Sequence, residues 1–119
     1  MSTPPLQTQS IKDVKNTSEL QSLLNANKTK LVVLKAYLDT CPVCKAYAPT
    51  YSQFPNEYPT VVFAQYNAGR PTDLSTKLNL KTVPTTSFYK NGNSTFINQI
   101  AGINLAQIKQ TLEANKNGI

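Results

Sequence analysis

The sequence predicts an α/β fold: a central mixed β-sheet of four to five strands flanked by about four helices. Three observations point to it. Leu31 to Leu38 and Val61 to Tyr66 are near-continuous apolar runs with the length and branched character of buried strands. Segments with apolar residues at helical intervals lie before, between and after these runs, and such alternation builds parallel βαβ units. Thr85 to Tyr89, then Lys90-Asn91-Gly92-Asn93, then Ser94 to Ala101 spell strand, tight turn, strand, which adds an antiparallel pair.

Residues 1–9 form a polar, flexible lead-in, and 10–119 one domain. Ser10 to Val14 is a short edge strand. Thr17 is placed as an N-cap, and Leu20, Leu23 and Leu24 follow with the 3.6-residue period of a first helix ending between Asn25 and Lys28. The Leu31–Leu38 strand is interrupted by Lys35. Pro42 suits the first turn of the next helix, where a missing N–H costs nothing. Tyr47, Tyr51, Phe54 and Tyr58 recur on the face of that helix that meets the sheet, Pro49 kinks it, and Pro55 is expected to end its regular part. Thr72 or Asp73 caps a short helix through Leu74, Leu78 and Leu80. Asn104 caps the last helix, which carries Leu105, Ile108 and Leu112 on one face and is followed by Gly118.

A length of 119 residues suits one domain with a modest core. No stretch of about 18 apolar residues suggests a membrane span, and the N-terminus has neither the basic start nor the apolar centre of a secretory signal, so a cytoplasmic protein is expected. The charge of +6 comes from 12 Lys and Arg against 6 Asp and Glu. These lysines are scattered, so they read as a solubilising surface and no nucleic-acid or membrane partner is expected. The chain has no histidine, which removes His-based general base catalysis, His metal ligation and any Ser–His or Cys–His pair.

The chemistry therefore centres on the two cysteines, Cys41 and Cys44, in Cys41-Pro42-Val43-Cys44 between the strand and the helix. A thiol at the helix N-cap lies beside unpaired N–H groups and the positive end of the dipole, which favour its thiolate. Cys44, one turn later, returns beneath Cys41. Cys41 is then the nucleophile and Cys44 the buried resolving thiol. A structural zinc site needs about four ligands, so a metal would require sharing between two chains, and none is expected. A purely structural bridge closes too small a loop to remove much chain entropy. The other function considered is a binding or assembly module whose cysteines turn over little.

From about Leu31 to Leu112 the chain resembles the thioredoxins. Cys41-Pro42-Val43-Cys44-Lys45 matches their active-site loop, Pro49 their helix-kinking proline, Lys90-Asn91-Gly92 the turn of their hairpin, and Gly102 the glycine after their last strand. Val83-Pro84-Thr85 matches the segment whose proline is cis and faces the cysteines. The resemblance implies the thioredoxin fold and a protein thiol–disulfide oxidoreductase without cofactor. It also implies a monomer that acts on protein disulfides and is recharged by a separate reductase or other electron donor. Thr40, Pro42, Val43, Val83, Pro84 and Thr85 would contact substrate, with the Val83 backbone free to pair with an added strand. Proline at the first spacer position is also similar to glutaredoxins.

The departures are informative. Lys35 stands where thioredoxins carry a buried Asp, Gln65 replaces the lysine that pairs with it in many members, Thr40 replaces the usual Trp, and the second aromatic of that strand is Tyr37. Lys35 is thus a pKa-modulating residue with two accounts. Burial could leave a neutral amine able to take the Cys44 proton. Alternatively, its ammonium snorkels outward and favours thiolate at both sulfurs; the cost of burying a lysine favours this second account. Either way, a more oxidising potential than an ordinary thioredoxin's is expected, a shift of about 30 mV corresponding to about 1.4 kcal/mol.

Overall fold

A computed structural model describes residues 11–117; the lead-in, Ser10 and Gly118 lie outside them. The elements follow in the order β1 (Lys12–Asp13), α1 (Thr17–Ala26), β2 (Val32–Tyr37), α2 (Pro42–Glu57), β3 (Val62–Asn67), α3 (Leu74–Lys77), β4 (Thr85–Tyr89), β5 (Asn98–Ala101) and α4 (Leu105–Asn115). The five strands form one mixed sheet in the order β1-β3-β2-β4-β5. β3 lies parallel to β1 and β2, whereas β4 runs antiparallel to β2 and β5.

Alternation along β2 divides the core in two. Val32, Leu34 and Ala36 point to the face covered by α1 and α3, packing with Leu20, Leu24 and Leu74. Val33 points to the opposite face, where α2 and α4 bring Tyr47, Tyr51, Phe54, Ile108 and Leu112. Lys35 follows Val33 on that second face, so the strand's period carries a charged residue beneath α2.

Four details differ from expectation. The N-cap of α1 is Asn16, whose Oδ1 accepts from Glu19 N at 2.8 Å, and Thr17 is the first helical residue. Pro55 does not end α2, which continues to Glu57. Pro55 itself is buried, as are Tyr47, Tyr51 and Phe54 of the same helix. Ring centroids there lie 5.5 Å (Tyr47–Tyr51), 5.8 Å (Tyr51–Phe54) and 6.1 Å (Phe54–Tyr58) apart at steep angles. Each such pair adds about 1 kcal/mol beyond the apolar area it buries, enough to outweigh the hydrogen bond a proline cannot make.

The short helix α3 stops at Lys77, because Asn79 enters the left-handed region at φ 52°. Thr72 Oγ1 accepts from Leu74 N at 3.1 Å at its start, while the Asp73 carboxylate accepts instead from Thr17 N at 2.8 Å. Lastly, β5 begins at Asn98, not Ser94. Asn91 and Gly92 turn the chain at φ 61° and 70°, Asn93 Oδ1 takes Thr95 N at 3.0 Å, and Phe96 folds back onto Tyr89. Pairing resumes only where Ile97 N donates to Phe88 O at 2.7 Å.

Candidate active site

Cys41 is the N-cap of α2, with extended backbone at φ −92° and ψ 110° and Pro42 opening the helix. Its Sγ accepts from Cys44 N at 3.0 Å, so a first-turn amide is spent on sulfur. The two cysteines are free thiols, Cys41 half-exposed and Cys44 only 4% exposed. Hydrogen bonding to Cys44 pulls the Cys41 thiol below its ordinary pKa, helped by the amides of Cys44 and Val43. Burial pushes Cys44 the other way, and the hydrogen bond with Cys41 adds to the rise. The two sulfurs thus stand in unlike surroundings, Cys41 favoured toward thiolate and Cys44 toward thiol.

The Val83–Pro84 bond is cis, and Cys41 Sγ lies 3.9 Å from Val83 O. Gly102 N donates to Pro84 O at 2.8 Å and anchors the loop to the start of the last connection. Gly102 does so at φ +76°, a conformation that suits glycine. Thr40, Pro42 and Val43 are exposed around the thiol, Val43 at 50%. Thr85 is different: it is 5% exposed, its Oγ1 donates to Thr82 O at 2.7 Å, and its backbone pairs within the sheet opposite Ala36 and Ala101. It shapes the loop from inside.

Lys35 does not snorkel to solvent. It is 3% exposed, and its Nζ sits 4.6 Å from the ring centroid of Tyr51, 5.5 Å from Tyr37 and 5.6 Å from Tyr47. Among the described residues Nζ has no hydrogen-bond or ion-pair partner. Burial lowers the pKa of this lysine, opposed by the Cys44 thiolate form. The rings of Tyr37, from β2, and of Tyr47 and Tyr51, from α2, stand around the ammonium position.

Lys35, Tyr37, Cys44, Lys45, Asp39 and Gln65 line one cavity of about 260 Å³ beside the buried thiol. Gln65, opposite Lys35 in the sheet, turns its amide to Asp13 Oδ1 at 3.1 Å. The tyrosine enclosure was not evident as part of the site from sequence. Tyr47 and Tyr51 read as core residues because of their four-residue spacing, and both are also core residues. Tyr51 Oη donates to Ala64 O at 2.7 Å, and Tyr47 Oη shares a hydrogen bond with Thr86 Oγ1 at 3.0 Å. The available signal was the combination of that spacing, starting three residues past Cys44, with a lysine in a buried strand.

No helix among the described residues is long and apolar enough to cross a membrane. No group of three or more His, Cys, Asp or Glu among them is placed to hold a metal ion.

The family model described as Thioredoxin matches residues 11–114. Thioredoxin-1 of Schizosaccharomyces pombe is 30% identical over 105 residues, spanning 88% of this chain and 98% of that protein. Thioredoxin-2 of Saccharomyces cerevisiae is 31% identical over 105 residues, with the same two shares. Among solved structures, a chain from a complex of ferredoxin:thioredoxin reductase and thioredoxin f2 superposes with a TM-score of 0.83 at 21% identity, over 93% of this chain and 99% of that one. That likeness carries the fold. Together with the sequence similarity along nearly the full length of its relatives, it places this chain in the thioredoxin family, as a thiol–disulfide oxidoreductase.

Proposed function

We propose that this oxidoreductase exchanges its dithiol with disulfides of protein substrates, Cys41 attacking and Cys44 resolving. The observation that supports the roles is the contrast between the two sulfurs: Cys41 is half-exposed and accepts a helix amide at 3.0 Å, while Cys44 is 4% exposed. The Cys41 thiolate attacks a substrate sulfur, the substrate disulfide breaks, and a mixed disulfide forms. Cys44 then attacks Cys41 and releases the substrate thiolate.

Among the described residues Val83 N–H and C=O have no backbone partner, and the carbonyl faces Cys41 Sγ at 3.9 Å, so an extended peptide passing Cys41 finds a short edge to pair with. Thr40, Pro42 and Val43 form the opposite lip, Pro84 sets the path of the loop, and Thr85 holds it from below. The reading extends to a cytoplasmic monomer, since a reducing compartment keeps such a pair as free thiols. Its electron donor is a separate reductase, of the kind seen with thioredoxin f2 in the structural relative.

Cys44→Ser tests the assignment. Incubated with oxidised protein substrates, the variant should accumulate mixed disulfides through Cys41 that reducing agent releases, and Cys41→Ser should accumulate none. Equal trapping by the two variants, or by neither, would overturn the division of roles.

A further inference from the structure

Lys35 is a buried amine that makes no hydrogen bond or ion pair among the described residues, and it shares a cavity wall with a buried thiol. The charged and titratable groups around that cavity are few. Asp39 and Lys45 stand at its rim, and Tyr37, Tyr47 and Tyr51 face the amine from β2 and α2. From β3 comes the uncharged Gln65, which holds Asp13 of β1 at 3.1 Å. None of these carboxylates is within ion-pair distance of Lys35 among the described residues.

A permanent ammonium here would be a buried charge without a counter-ion for as long as Cys44 is a thiol, an arrangement that low-dielectric surroundings penalise heavily. Neutral amine and neutral thiol together carry no such penalty. When the proton crosses from sulfur to nitrogen, both charges appear at once and compensate each other, and three ring faces receive the new ammonium. The cavity is roomy enough to hold a water along that path.

We propose that Lys35 accepts the proton of Cys44 in the resolving step. The inference rests on the dithiol exchange described above. In the mixed disulfide, the Cys44 thiol gives its proton to the Lys35 amine, and its sulfur attacks Cys41 Sγ. The Cys41–Cys44 bond forms as the bond from Cys41 to the substrate sulfur breaks, and the electron pair leaves on that sulfur. The departing thiolate is protonated from solvent, and Lys35 later returns its proton to solvent. The dithiol loses two electrons and the substrate disulfide gains them. Lys35 acts through Cys44, as a positioning residue for charge.

The reduced full-length protein is mixed with an aromatic disulfide reagent whose thiolate is coloured. The first release reports attack by Cys41 and the second reports displacement by Cys44. Lys35→Met should slow the second release by roughly a hundredfold near neutral pH, within the range of a positioned proton acceptor. That release should then climb with pH toward the ordinary thiol range of about 8.5. Lys35→Arg should not restore it, because a guanidinium stays protonated. Wild-type second-phase rates and pH profile in Lys35→Arg, or in Lys35→Met, would overturn the proposal.

A measurement on the unaltered protein guards against misfolded variants. The Cε chemical shift of Lys35 in the reduced state should report a neutral amine near pH 7, and an ammonium persisting to about pH 9 would overturn the proposal. If no protein disulfide is exchanged at all, the substrate assignment fails, while the reagent kinetics and the Lys35 shift still decide the role of Lys35 on their own.

Discussion

Lys35 concentrates the tension between stability and chemistry in one side chain. Its burial favours the neutral amine, so the folded chain gives up this proton below the ordinary lysine value of 10.5, while the unfolded chain keeps it up to that value. Between those two points the unfolded state binds more protons, and stability rises with pH. The penalty is greatest below the folded pKa and disappears above about 10.5. Lys35→Met should therefore stabilise the protein at neutral pH by about 4 kcal/mol, since an amine already neutral near pH 7 carries about 1.4 kcal/mol for each pH unit up to the unfolded value. Urea midpoints measured across pH should show the gain shrinking as pH approaches 10.5. A functional residue held at a cost to stability is the pattern expected where a buried group serves a reaction.

Among the elements, α1 shows how local capping and long-range contact share a helix end. Asn16 Oδ1 takes Glu19 N at 2.8 Å, Glu19 Oε1 takes Lys15 N at 2.9 Å, and Asp73 Oδ1 takes Thr17 N at 2.8 Å. The first two bonds lie within five residues, where a cap was expected one position later, at Thr17. The third spans 56 residues and joins the starts of α1 and α3, which no local pattern reveals. Asn16→Ala should cost about 1 kcal/mol, read as a lower urea midpoint with an unchanged slope, because Leu20 and Leu24 would stay packed.

The hairpin after Pro84 follows the same logic. Its turn residues Asn91 and Gly92 were recognisable because left-handed backbone favours them. The late start of β5 was not, since it depends on Phe96 finding Tyr89 across the core. In α2, Pro55 looked like a terminator by propensity and was overruled by the aromatic residues buried along the same helix.

The molecule as a whole places an unusual share of its tyrosines out of water. Tyr47, Tyr51, Tyr66 and Tyr89 are each at most 2% exposed. Burial raises all four hydroxyl pKa values, Tyr47 to about 12 even with the opposing Thr86 hydrogen bond. The unfolded chain ionises these groups near 10, so the folded state holds more protons above that point. Their contribution to stability is complete below about pH 10 and is lost as pH rises through the folded values, by up to about 1.4 kcal/mol per pH unit for each tyrosine. Alkaline titration should show phenolate absorbance from these tyrosines appearing together with loss of tertiary structure. Free ionisation of all of them in a still-folded protein would contradict the burial described. The relief of the Lys35 penalty opposes this loss but comes from one group.

Element order, the mixed sheet and the cysteine pair were written in the linear chain, because each rests on residue types at short spacing: apolar runs, a proline at a helix start, two thiols one turn apart. Those features act over a few residues and survive any arrangement of the rest. The cis Val83–Pro84 bond was expected from the family resemblance alone, and it meets Cys41 across 42 residues. The fate of Lys35 was different. A lysine in a buried strand has two physical outcomes, a side chain that runs out to the surface or one held among its neighbours. The choice depended on Tyr37, Tyr47 and Tyr51 converging from separate positions. Enclosure by side chains distant in sequence is a property of packing, and it is packing that set this lysine beside the resolving thiol.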